Sequence, residues 1–317
     1  MRKFLKEFGV IFFFFFGFIL AYLCFCDFFF SKEEYFDKKY KPAWILSQKE
    51  KDVDYAILGS SRAYGAFDMN LLDSLTGKKW INLGSNGSGM AENYMIINHF
   101  LKRNKVKTIL IQVDGDAFAG ADSEQHRIHP YSFLPYWQDS IIKGVLTKEI
   151  KSLDSFLIRA IPQFRYLYYN KYFSPKEIFR RLKINQEPEN TLDNLFGGEP
   201  IDIRTRAARS NIEKAKKSGS AIKEINPYFL KIIDLAKSQN IDLLLFTAPV
   251  YYGTFEEIIS IDEQFDYQIH LPEDRFQKDE TLFSDTWHLN EKGRTLFTLS
   301  FFNRISPNYL LNLSQVP

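Results

Sequence analysis

The sequence predicts an α/β protein: a doubly wound parallel sheet carried on an N-terminal transmembrane helix and interrupted by an insertion of helices and loops. Three observations carry this. Short apolar runs alternate with segments of helical period, first over residues 51–113 and again over 226–301. The loops after the first three runs are polar and glycine-containing, and ligands of open α/β sheets bind at that end of the strands. The first thirty residues are far more apolar than anything after them.

Residues 8–26 are an almost unbroken run of Phe, Ile, Leu, Val, Gly and other aromatic residues. As a helix rising about 1.5 Å per residue this run is roughly 28 Å long, enough to cross a bilayer core. Arg2, Lys3 and Lys6 precede it, whereas Asp27 and Glu33-Glu34 follow. The positive-inside rule therefore puts the N-terminus in the cytoplasm and the rest outside, periplasmic or extracellular. A cleaved signal peptide is the competing reading. No small-x-small cleavage site follows the run, and the run is longer than a usual signal core, so a single-pass anchor over residues 1–31 is expected.

Both cysteines, Cys24 and Cys26, lie in this span. The exported part therefore has no disulfide framework, thiolate metal site or cysteine nucleophile. The 41 basic and 39 acidic residues give a net charge of +2, too even a balance for a nucleic-acid binder. Residues 32–50, with Lys38, Lys39 and Lys41 around Tyr40, suit a juxtamembrane stalk. Residues 51–317 are long enough for one large domain.

Within that domain, residues 54–58 form the first strand, and a helix follows Ser61, runs through Met69 to Leu75 and stops near Gly77. Residues 79–83 form a second strand and open into Gly84-Ser85-Asn86-Gly87-Ser88-Gly89, a tight loop with backbone N–H groups available to a ligand. Residues 91–103 have a helical period. The third strand, 108–113, ends at Asp114-Gly115-Asp116. Residues 121–220 match no regular pattern and read as an insertion, a lid or accessory wall. Its aromatic residues suit core packing first, sugar stacking or membrane contact second. Asn226-Pro227 starts a helix to about residue 239, and residues 241–247 form a fourth strand. Asn290 caps a last helix from Glu291 through Phe301.

The chemistry lies at the two ends of the domain. Ile57-Leu58-Gly59-Ser60-Ser61-Arg62 delivers a hydroxyl to the rim of the sheet. A serine needs a base, usually histidine, whose tautomer a carboxylate fixes. Asp285-Thr-Trp-His288-Leu-Asn290 offers both. Ser61 is preferred to Ser60 as nucleophile because a residue opening a helix has its own N–H aimed at bound anions. Arg62 offers a charge for steering an acidic substrate, with a solvated arginine as the alternative. His99, His126, His129 and His270 take structural readings. The Gly59 to Gly65 spacing fits neither a dinucleotide fingerprint nor a P-loop, and no cofactor or metal is expected.

These residues resemble the sequence blocks of the SGNH, or GDSL-type, hydrolase superfamily. Gly59-Ser60-Ser61 is similar to the opening block in the form seen in membrane-anchored branches. Asn82-Leu-Gly-Ser-Asn86-Gly87 looks like the second block, whose glycine donates an N–H to the oxyanion. Asp285-Thr-Trp-His288 matches the Asp-x-x-His block. The resemblance implies a flavodoxin-like three-layer fold, a Ser61-His288-Asp285 triad, and an oxyanion hole from the N–H groups of Ser61 and Gly87. The third block departs from the pattern. Where the family has an asparagine donor, this chain has Asp114-Gly115-Asp116, and an ionised Asp116 facing an oxyanion would repel it.

The expected function is that of a serine esterase or O-acyltransferase on acyl groups of a cell-surface glycan. The resemblance also implies a membrane-bound O-acyltransferase partner supplying acyl groups from inside. A non-catalytic glycan-binding or scaffold protein of the envelope is the main alternative, and a lipid-directed esterase a further one.

Overall fold

The computed structural model describes residues 1–30, 41–113, 130–149, 156–158, 160–161, 163–168, 193, 197–198, 225–251 and 269–305. The chain divides into two compact units, one of Met1–Ala43 with His129–Pro188 and one of Trp44–Ile128 with Glu189–Pro317. The stretch expected as a single insertion at 121–220 is thus divided. Its central part belongs with the N-terminal helix and its flanks with the sheet.

Helix α1, Arg2–Phe30, is long and apolar enough to cross a membrane. Helix α2, Lys41–Ser47, falls in the stretch expected to be a stalk. From Trp44 onward it is core instead: Trp44, Ile45 and Leu46 are buried, and the Leu46 carbonyl accepts from Arg103 at 2.9 Å. An indole and two aliphatic side chains in succession favour burial over a solvated tether.

The sheet-bearing unit begins with β1, Asp52–Leu58, followed by α3, Ser61–Ala66, and α4, Met69–Thr76. One helix was expected here. The break falls at Phe67-Asp68, where the Asp68 carboxylate caps α4 by accepting from the Leu71 N–H at 3.1 Å. Gly77 ends α4 in the left-handed conformation, φ 63°. Strand β2, Trp80–Asn82, then α5, Met90–Leu101, and β3, Lys105–Gln112, complete the first half.

Helices α6, Pro130–Phe133, α7, Ser140–Glu149, and α8, Phe164–Tyr168, belong to the first unit. The second half of the sheet unit starts at α9, Pro227–Ser238, with Asn226 as N-cap and proline in the first turn. Strand β4, Asp242–Phe246, and a two-residue β5, Ile269–His270, follow, then α10, Asp274–Lys278, and α11, Glu291–Ile305.

The five strands pair in the order β2-β1-β3-β4-β5, all parallel. Progression reverses at β1, so the carboxyl ends of β1 and β3 flank a crevice of the kind in which α/β proteins bind ligands. Register brings Leu58 opposite Ile111, which puts Gly59 beside Gln112. Beneath that rim lies an aromatic core. Phe67 is fully buried, with ring centroids 5.2, 5.2 and 5.1 Å from Phe246, Phe297 and Phe301, a cluster that locks α11 to the sheet and to the end of α3.

Candidate active site

Strand β1 is followed by Gly59, which has nowhere to place a side chain. A Cβ there would meet Ala63 Cβ, Gln112 Cβ and Gln112 Oε1, each at 2.6 Å, and its φ of 155° is one that side chains rarely adopt. The chain then turns into α3 with Ser60 as N-cap, whose hydroxyl accepts from the Arg62 N–H at 3.4 Å. Ser60 faces inward, its Oγ donating to Gln112 Oε1 at 3.2 Å. Ser61, the first residue of α3, is left half-exposed.

Gln112 went unnoticed in the sequence. Its Oε1 accepts from the Ser60 N–H at 3.1 Å, the Ser60 hydroxyl, and the Ala63 N–H at 2.9 Å. One side-chain oxygen on β3 therefore fastens both ends of the turn that presents Ser61. The available signal was a polar residue closing the apolar run Ile109-Leu110-Ile111, since a buried amide on a central strand needs partners.

The loop after β2 is tied to the same turn. Ser85 N–H and Ser88 Oγ both donate to the Gly59 carbonyl, at 3.1 and 2.9 Å. Ser88 N–H closes a turn on the Ser85 carbonyl, and Gly87 within it has φ 73°, a conformation suited to glycine. Asn86 and Gly87 are exposed at the tip. Asn82 is fully buried; its Oδ1 accepts from Gly84 N–H at 2.9 Å while its Nδ2 donates to the Ala63 carbonyl at 3.0 Å.

The other half of the site is the loop before α11. Ser284 N–H donates to the His288 carbonyl at 2.9 Å and Asn290 N–H to the Leu282 carbonyl at 3.0 Å, giving the loop a short antiparallel closure. Inside it Asp285 Oδ1 accepts from the N–H groups of Trp287 and His288 at 2.7 and 2.8 Å. His288 Nδ1 lies 2.9 and 3.0 Å from the two Asp285 oxygens, and His288 Nε2 lies 2.8 Å from Ser61 Oγ. The carboxylate fixes the tautomer with hydrogen on Nδ1, so Nε2 accepts from the serine hydroxyl. Burial pushes the Asp285 carboxyl up, but the His288 ring and the Trp287 and His288 N–H groups outweigh it and hold the group below its ordinary value.

The structure therefore brings together Ser61, His288 and Asp285, with the Gly87 loop fastened two residues from Ser61. Arg62 is neither a free steering charge nor solvated: it is half-buried, and its guanidinium donates to the Ala248 carbonyl after β4. His99 is buried with Nε2 3.2 Å from the Leu46 carbonyl, and His270 on β5 meets the Phe301 ring. Asp114, Asp116, His126 and His129 lie outside the described residues. Among the described residues no cluster of side chains could hold a metal ion.

Two outcomes follow from these bonds. Gln112→Leu removes an acceptor from two backbone N–H groups; it is expected to lose stability on the order of 2–4 kcal/mol in urea denaturation and about 100-fold in kcat, because the hydroxyl shifts. Gln112→Glu keeps an acceptor and retains most of both; equal losses in the two variants would remove Gln112 from this role.

Asp285→Asn should lower kcat by roughly 10⁴-fold through the wrong tautomer. Because the folded carboxyl titrates below its unfolded value, its stabilisation is complete above the unfolded value and is lost as pH falls through the folded one. The stability gap between wild type and Asp285→Asn is thus expected to narrow as pH falls below about 4. A gap that widened below about pH 4 would contradict the assignment. No family model matches the chain, and no curated protein matches it.

Proposed function

We propose that the protein is a serine-dependent esterase or O-acyltransferase with an SGNH-type, flavodoxin-like domain, acting on acyl groups of a cell-surface glycan. The observation that carries the reading is the unbroken chain of hydrogen bonds from Ser61 Oγ through His288 to Asp285, 2.8 and 2.9 Å long. A binding or scaffold protein has no need to keep a nucleophile, base and orienting acid in register, and the 2.8 Å approach counts against that alternative.

In the proposed reaction Ser61 Oγ attacks the ester carbonyl carbon while His288 Nε2 takes its proton. The N–H groups of Ser61 and Gly87 stabilise the oxyanion. The tetrahedral species collapses, the His288 proton passes to the departing alkoxide, and the acyl group stays on Ser61. Water or a sugar hydroxyl, deprotonated by His288, then attacks the acyl-enzyme and releases Ser61. Water gives hydrolysis and a sugar hydroxyl gives transfer.

Trp287 supports a sugar as the substrate. It is 37 % exposed immediately before the base, whereas Trp44 and Trp80, also in the sheet-bearing unit, are at most 2 % exposed. Its backbone is held by the bond to Asp285, so little mobility is lost when a flat apolar ring face meets the indole. Arg2, Lys3 and Lys6 at the start of α1 support an N-terminus inside and this unit outside the membrane.

Ser61→Ala is expected to abolish both hydrolysis of p-nitrophenyl acetate and covalent labelling by a fluorophosphonate. Undiminished labelling would exclude Ser61 as nucleophile. Trp287→Ala should raise KM about tenfold on an acetylated oligosaccharide while leaving p-nitrophenyl acetate turnover near wild type, as expected for stacking of about 1–1.5 kcal/mol. Equal effects on both substrates would remove the sugar platform.

A further inference from the structure

Helix α1 is longer than a bilayer requires. Its 29 residues rise about 43 Å at 1.5 Å per residue, against a hydrocarbon core of roughly 30 Å. From Phe4 to Phe18 its large apolar side chains are exposed. Nearer the C-terminus the faces diverge. Leu23, Cys26 and Phe29, at helical spacing, are buried at 1, 0 and 7 %, while Phe25 and Phe28 on the other side remain exposed. One stripe of the last two turns packs on protein, and the opposite face still presents apolar rings.

Asp27 sits within this region. Its Oδ1 accepts from the guanidinium of Arg165 and, at 3.0 Å, from the Tyr166 hydroxyl, both on α8. Arg165 is 2 % exposed, its Nε donates to the Leu134 carbonyl at 3.1 Å, and its guanidinium lies 4.5 and 5.4 Å from the Tyr166 and Trp137 ring centroids. A guanidinium this buried depends on its carboxylate, and removal of α1 would take that carboxylate away. Cleavage of α1 as a signal peptide is therefore incompatible with this unit as folded.

Phe25 and Phe28 bracket Asp27 in sequence, so the clasp forms at a level where the outer face of α1 still requires lipid. Arginine and tyrosine suit that boundary, with apolar bodies and polar ends. The same unit carries Phe156 and Leu157, 66 and 41 % exposed, shortly before α8 and joined to it through the Ile161 N–H to Leu157 carbonyl and the Phe164 N–H to Ile161 carbonyl bonds. Beyond α1, the other exposed large hydrophobic residues among those described are Leu230 and Trp287.

We infer that the first unit is seated in the surface of a lipid bilayer: α1 is retained, Asp27 clasps α8 to it through Arg165 and Tyr166, and Phe156 and Leu157 enter the boundary between headgroups and acyl chains. The inference stands apart from the chemistry at Ser61. It makes the part of the chain around α8 that belongs to the first unit a membrane-contacting module.

The test uses the full chain in lipid nanodiscs. With Cys24→Ala and Cys26→Ala no native thiol remains, and single spin labels are placed by Phe156→Cys, by Phe25→Cys as lipid reference and by Leu230→Cys as water reference. The label at 156 is expected to be more accessible to oxygen than to a water-soluble nickel chelate, as at 25; the reverse order, as at 230, overturns the inference. Adding Asp27→Asn should move the label at 156 at least twofold toward the water reference, and no movement would remove the clasp. A second measurement keeps the cysteines: Phe156→Trp in brominated lipid should be quenched and Leu230→Trp should not, and equal quenching counts against lipid contact. Intact mass of the membrane-extracted protein should include residues 1–30, and a mass lacking them refutes retention of α1.

Discussion

The approach of β1 to β3 at Gly59 sets the geometry on which the rest of the site depends. Parallel pairing of Leu58 with Ile111 leaves Gly59 against the side chain of Gln112, with no volume for a Cβ. Because the chain passes so close, one carboxamide oxygen reaches two backbone N–H groups and a hydroxyl of the next turn. The Gly59 carbonyl, on the other side, is taken by Ser85 and Ser88. A backbone fixed from both neighbouring strands has little freedom left, which is what a hydroxyl held 2.8 Å from the His288 ring requires.

The division of labour between two adjacent serines follows from this. Ser60 uses its side chain to cap α3 and to bond Gln112, and so turns inward. Ser61, one residue on, has its hydroxyl free to face His288. Residue type alone does not separate them. The strand-to-helix turn does, because the N-cap position consumes the hydroxyl of whichever serine occupies it.

Much of this was legible in the sequence where the signal is local. The four longer strands, the caps at Asn226 and Asn290, the stop at Gly77, and the pair Asp285 and His288 are set by residues within a few positions of one another. What stayed hidden depends on contacts far apart in sequence. Gln112 acquires its role from partners 49 and 52 residues away. The break at Phe67-Asp68 is enforced by α11, whose Arg294 donates to the Phe67 carbonyl and whose Thr298 accepts from the Asp68 N–H. The two residues of β5 are too few to show a period, and Trp44 to Leu46 resembled a tether because their partners lie on α5 and beyond.

The same helix explains how Ser61 and His288, 227 residues apart, come to meet. α11 begins directly after the histidine loop, where Asn290 caps it by accepting from the Gly293 N–H at 3.0 Å and also donates to the Thr281 carbonyl at 2.8 Å, so loop and helix move together. Gly293 is needed there because a Cβ would strike the Leu282 carbonyl. At the next residue, Arg294 Nε donates at 2.7 Å to the carbonyl of Phe67, the residue that ends α3. α3 starts at Ser61 and α11 starts three residues after His288, so the cross-link at Arg294 joins the Ser61 and His288 segments through less than two turns of helix on each side. Thermal displacement between them then has to stretch that bond or deform the Phe67 cluster. Ser61, His288 and Asp285 are held from below as well as across their own hydrogen bonds.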